Sequence, residues 1–204
     1  MKDKSNKRKK LGQQPGAVVF TGQRKVERVE IHYLEYQETS CEEQELDNQS
    51  ITAFHEPVAN NVQWYDVRGL HDTELIEEFG RIFKIHPLAP EDIADTTQRP
   101  KLDEYPDGLM ITLRALHFDA GKHKMDYEHI GIYVGKGYVL SFQESETDLF
   151  ASVRERIILQ KGRIRKKGAD YLAYALMDTI VDKYYLIIDE LELAIEQLEI
   201  KILE

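Results

Sequence analysis

EHIGIYVGKGYVLSFQ, running from Glu128 to Gln143, decides the fold class. It contains two segments rich in β-branched and aromatic residues, Glu128 to Val134 and Tyr138 to Gln143, with the length and composition of strands. Gly135-Lys136-Gly137 joins them, and its glycines permit the positive φ that a tight hairpin requires. The same tripeptide is too short for a phosphate loop and does not precede a helix, so the hairpin reading is preferred. Upstream, Leu109 to Phe118 adds a further strand and makes an antiparallel meander.

Moving outward toward the amino terminus, Val29, Ile31 and Tyr33 alternate with Arg28, Glu30 and His32, the period of a half-buried strand within Val26 to Tyr36. Ala17 to Phe20 (AVVF) has β-like composition, Cys41 to Leu46 reads as a weaker strand, and VQWYDV (62–67) follows the Asn60-Asn61 turn as another. Asp72 is a credible N-cap for a helix carrying Leu75, Ile76, Phe79, Ile82 and Phe83 at three- and four-residue spacing, ended by Pro87. A second short helix is expected from Pro87, containing Glu91 and Asp92 and stopping before Pro100. Asp148 to Leu159 reads as another helix, and KGRIRKKG (161–168) as a solvated connection rather than a site for phosphate or anionic lipid.

The carboxy-terminal stretch, Ala169 to Glu204, contains neither Pro nor Gly. Ala173, Met177, Ile180, Tyr184, Ile187, Leu191, Ala194 and Leu198 follow one another at alternating spacings of four and three, a heptad stripe. Such a helix is on the order of 55 Å long, against a compact small domain of roughly 30 Å, so part of it must project. A projecting helix with an apolar seam needs a partner helix, and no other segment here has matching length. Ile202-Leu203-Glu204 carries no helix-stop signal, which predicts that the natural polypeptide continues.

Composition excludes several function classes. With 42% hydrophobic and 9% aromatic residues the chain can build a real core. The longest apolar run, Tyr171 to Met177, is far below the ~18–20 residues that span a bilayer. The first ten residues, MKDKSNKRKK, carry six basic side chains, and residues 1–16 read as a disordered basic tail without the apolar region of a secretory signal. A net charge of −10 repels nucleic acid and attracts cations. Cys41 alone permits no internal disulfide, and the seven histidines fall in no zinc-ligand spacing. His86 before Pro87 reads as a helix-start cap rather than a ligand. No nucleophile or acid–base pair has a local signature, so catalysis is not expected.

The carboxylates are more informative. Asp178 and Asp182 stand one helical turn apart, where like charges destabilise by a few tenths of a kcal/mol unless a cation neutralises them. Glu91 and Asp92 are consecutive, diverge by about 100° on a helix, and need a third carboxylate from outside to chelate one ion. Taken alone, each pair reads as wet surface.

At HPLAPEDI (86–93), followed by QRPK (98–101) and Glu104-Tyr105, the sequence resembles the CorA family of magnesium and cobalt transport proteins. WYDVRGL (64–70) upstream, and VLSFQE (139–144), VRERI (153–157) and KGADYL (167–172) downstream, keep the family's order, so the likeness covers about Trp64 to Glu204. The resemblance implies an α/β fold: an α/β/α sandwich around a mixed, largely antiparallel sheet, over residues 17–166. The long helix, 167–204, would lead to a stalk and two transmembrane segments of a homopentameric channel. The family's Gly-Met-Asn pore signature is absent from these residues, so the chain is not expected to conduct ions by itself.

The same resemblance implies a divalent-cation-sensing domain on the cytoplasmic face of a protein of the inner cell membrane, with Mg²⁺ (or Co²⁺) bound between subunits and favouring the closed state. Glu91, Asp92 and Asp178 match family ligands, and a further family aspartate would lie on a stalk helix past Glu204. Asp182 is added from its spacing. The alternatives are a zinc transporter of the same superfamily and a purely structural oligomerisation module.

Overall fold

The meander grows into a seven-stranded sheet. The computed structural model describes residues 12–46, 54–55, 57–119, 121–122 and 124–203, so most of the expected basic tail, residues 1–11, lies outside the described residues. The strands are β1 (Glu30–Tyr36), β2 (Cys41–Leu46), β3 (Val62–Arg68), β4 (Lys101–Tyr105), β5 (Gly108–Asp119), β6 (Lys124–Gly135) and β7 (Tyr138–Gln143), in the spatial order β2-β1-β3-β7-β6-β5-β4. Only β3 and β7 pair in parallel, with Trp64 opposite Val139, so the sheet is mixed and largely antiparallel. Gly137, at φ +83°, makes the β6–β7 turn.

Alternation along the central strands assigns one set of side chains to each face. On one face Tyr65, Val67, Tyr133, Leu140 and Phe142 pack against α1 (Thr73–Ile82) and α2 (Leu88–Ala94), through Leu75, Ile76, Phe79, Ala89 and Ile93. On the other, Trp64, Ile111, Ile130, Ile132 and Val139 pack against α3 (Ala151–Ile158) and α4 (Ala169–Leu203), through Val153, Ile157, Leu172, Leu176 and Ile180. The result is an α/β/α sandwich with two apolar layers. Asp72 caps α1 as its position predicts, its carboxylate accepting from Leu75 N–H at 3.0 Å.

The heptad stripe of α4 marks its less exposed side as far as Ala194. Ala173 and Ile180 are buried in the second layer, and the Tyr184 hydroxyl donates to the Arg114 carbonyl. Beyond that point the apolar side chains off the stripe, Tyr185, Leu186, Ile188, Leu193, Ile195, Ile200 and Ile202, are exposed, as is Leu198 on it, whereas Ile187 and Ala194 on the stripe stay buried.

Two local expectations differ from the structure, and one strand was not expected. AVVF is irregular rather than a strand: Val18 and Phe20 pack on the first layer, and Thr21 N–H donates to Ala94 O, so the segment straps α2 instead of extending the sheet. β4 escapes sequence reading because KLDEY has no apolar alternation; it is held as an edge strand by its backbone pairing with β5. KGRIRKKG contains a short 3₁₀ turn whose Ile164 is fully buried, and Arg165 donates to the Ile157 and Ile158 carbonyls at 2.6 and 2.8 Å, closing the end of α3.

Gly69 ends β3 at φ +103°, and a Cβ there would lie 2.6 Å from Cγ2 of buried Val26. Gly69→Ala therefore combines backbone strain with a clash against a stiff side chain and is expected to cost about 1–3 kcal/mol, read as a lowered urea midpoint with unchanged slope.

Candidate metal centre

The four candidate carboxylates divide between the two outer layers. Glu91 and Asp92 lie on α2, and Asp178 and Asp182 on α4, so the sheet separates the pairs. Asp178 and Asp182 are exposed to solvent. Within one copy the pairs cannot share an ion, and among the described residues no three His, Cys, Asp or Glu side chains are placed to hold one.

The α2 pair is already engaged. Glu91 Oε2 accepts from the Gly16 N–H at 2.8 Å, so the end of the amino-terminal segment is fastened to this helix. Asp92 is 5% exposed; its Oδ1 accepts from Gln98 Nε2 at 2.6 Å and its Oδ2 from Lys101 Nζ at 2.7 Å. Lys101 also forms an ion pair with Asp103 at 2.8 Å. β4 creates this geometry, because residues two apart on a strand point the same way and Lys101 and Asp103 both turn toward α2. Burial works to lower the Lys101 pKa, but contacts with Asp103 and Asp92 outweigh it and hold the ammonium above its usual range. Tyr105, on the same side of β4, is pushed up by burial and by the Asp103 and Asp92 charges. Its ring stacks on His86 at 4.6 Å, and His86 Nδ1 lies 3.4 Å from the Leu88 N–H, the helix-start role expected of it.

Sequence reasoning missed a second charged constellation, between the sheet and α3. Asp66 is completely buried. Its Oδ1 accepts from Ser141 Oγ at 2.6 Å and Gln143 Nε2 at 2.8 Å, and its Oδ2 from Arg154 Nη2 at 2.7 Å. Arg154 also donates to Asp148 at 2.7 Å, and Arg68 reaches Asp148 at 2.7 Å. Burial opposes ionisation of Asp148, but Arg154 and Arg68 prevail and lower its pKa. Trp64 donates Nε1–H to Ser141 Oγ at 2.9 Å, and Arg154 sits 5.3 Å from the indole. The period-two spacing of Trp64 and Asp66 was a usable signal for a shared face, but nothing local pointed to Arg154.

This fold and motif set have known counterparts. The family model described as CorA-like Mg²⁺ transporter protein matches residues 59–204. The chain belongs to the CorA family. The cobalt/magnesium transport protein CorA of Thermotoga maritima is 36% identical over 196 residues, covering 96% of this chain and 55% of that protein. Among solved structures, the soluble domain of CorA from Methanocaldococcus jannaschii superposes with a TM-score of 0.61 at 18% identity, over 84% of this chain and 64% of that one. The ZntB cytoplasmic domain from Vibrio parahaemolyticus does so at 0.57 and 18%, over 81% and 63%. These two likenesses establish the CorA soluble-domain fold, which is the sandwich expected from the motifs. The chain spans about half the length of the CorA protein it matches. The family is one of ion transporters, and no helix of the described residues is long and apolar enough to cross a membrane.

Proposed function

We propose that this chain is the divalent-cation-sensing domain of a CorA-like Mg²⁺/Co²⁺ transporter, comprising the sandwich (17–166) and the start of the helical region leading to a stalk (167–204). In the full-length protein it lies on the cytoplasmic face of a homopentamer in the inner cell membrane. Mg²⁺ bridges Glu91 and Asp92 of one subunit and Asp178, with Asp182 beside it, of the next. The observation that carries this reading is the placement of the two acidic pairs on opposite layers: copies in a ring can appose them, whereas one copy cannot.

The physics follows from charge. Carboxylates facing each other at ~4 Å across a subunit boundary repel by about 4 kcal/mol at an effective dielectric near 20, less in salt. Carboxylates that no cation neutralises push subunits apart. Mg²⁺ binds oxygen and keeps much of its water, so a partly water-mediated site is weak enough to follow cellular Mg²⁺, and occupancy favours the symmetric closed state.

In the full-length protein, Asp92→Lys together with Asp178→Lys is expected to make transport insensitive to internal Mg²⁺. An unchanged Mg²⁺ response in flux measurements would count against these residues as sensors.

A purely structural assembly module is the second reading, favoured by the exposed apolar side chains along distal α4. Thermal melts in Mg²⁺ or K⁺ at equal ionic strength separate the two. A ligand that binds only the folded form raises its stability, so Mg²⁺-specific stabilisation belongs to the sensor.

A further inference from the structure

Asp92 is nearly buried, and a positive charge already sits on it: Lys101 Nζ bridges Asp92 Oδ2 at 2.7 Å and Asp103 Oδ2 at 2.8 Å. We propose that Lys101 is a tethered competitor for the divalent cation, an ammonium that occupies Asp92 when metal is scarce and must swing away before metal binds there. The inference rests on the reading of Asp92 as a cation ligand given above.

The geometry suits an exchange. Nζ sits on the Asp92 oxygen that a dication would have to take. The Asp92 side chain is 8% exposed and that of Lys101 34%, so Lys101 is the more solvent-exposed partner of the pair. Lysine is a point charge on a flexible four-carbon stem and can leave by rotating that stem, which a planar arginine fork cannot do as freely. Asp103 offers the departing ammonium a partner, so Lys101 need not be left unpaired. Gln98 stays on Asp92 Oδ1 and keeps the carboxylate oriented.

Two consequences follow. The tether keeps the ammonium at a high effective concentration, so the metal must outcompete an intramolecular rival and the response shifts to higher Mg²⁺. A monovalent ion has no charge advantage over the ammonium and a dication does, so Lys101 also screens the site against K⁺ and Na⁺.

The test is a Mg²⁺ titration of the full-length protein, where neighbouring subunits can complete the site, followed by melting temperature and by calorimetry, with Lys101→Met, Lys101→Arg and Asp92→Asn. Lys101→Met is expected to tighten Mg²⁺ binding about tenfold, equivalent to ~1.4 kcal/mol, and Lys101→Arg to leave it near or below the parent's. Adding Asp92→Asn to Lys101→Met should abolish the gain. If Asp92→Asn weakens Mg²⁺ binding but Lys101→Met binds no tighter than the parent, the competitor role is wrong and the sensing reading stands. If Asp92→Asn changes nothing in either background, both fall. Should Lys101→Met fail to melt cooperatively, the unmutated full-length protein decides by carbon NMR. The Lys101 Cε resonance must move in step with Mg²⁺ occupancy, and a resonance that stays put while an Asp92-dependent site fills overturns the proposal.

Discussion

Asp66→Ala is expected to destabilise this chain by about 3–5 kcal/mol, because it strips a buried arginine of its partner rather than deleting a neutral contact. Arg154 is 6% exposed and donates one guanidinium nitrogen to Asp66 and another to Asp148. Without Asp66 the inner nitrogen faces the interior, and Ser141 Oγ and Gln143 Nε2 lose their acceptor as well. For a chain of this size the loss corresponds to a fall in melting temperature on the order of 10 °C. Replacing both charges, Asp66→Leu with Arg154→Met, should cost clearly less than the sum of the single changes, since no unpaired charge is then buried. Chemical denaturation of the two single variants and the double variant reads the coupling directly; additive losses would show that the pair contributes no more than its separate packing.

The second large effect is a loss of stability in mild acid. His129 lies on β6 under α2, fully buried, against the backbone of Asp92 and Ile93, and burial lowers its pKa from 6.5 to about 4. Below pH 6.5 the unfolded chain takes up a proton that the folded chain refuses, so stability declines as pH falls and the decline ends near pH 4. The whole window is worth about 3 kcal/mol, with about 2 kcal/mol gone by pH 5. Above pH 7 both states are neutral there and the contribution is flat. His32 and His71, only partly buried, are lowered chiefly by burial and add in the same direction. His129→Gln isolates the main term: urea midpoints between pH 7.5 and 5 should fall steeply in the parent and shallowly in the variant. Parallel slopes would mean that the ring is protonated in the folded state as readily as in the unfolded one.

Much of the architecture was readable because it is written in short-range periodicity. The alternation in β6 and β7, the glycine hairpin between them, the Asp72 cap and the unbroken Ala169–Leu203 helix are all local features. The motifs from WYDVRGL to KGADYL also carry the family, which the match over residues 59–204 establishes. β4 was not readable, since an edge strand of charged residues is defined by whom its backbone meets. Nor was the strap formed by AVVF, whose apolar side chains suit a strand and an irregular packed segment equally well.

Asp92 shows where the candidate site outran its sequence. Its position beside Glu91 was visible, but its burial and its ion pair depend on Lys101, nine residues away on a strand the sequence does not announce. Asp66 and Arg154 are separated by 88 residues and meet only because α3 packs on the face of the sheet that carries Asp66. By itself the sequence determined the strands and helices with strong periodicity, the acidic balance and the family. Only the tertiary structure decided which charges are buried and which oppose one another. Burial and charge pairing depend on distances across the sheet, and spacing along the chain cannot encode them one segment at a time.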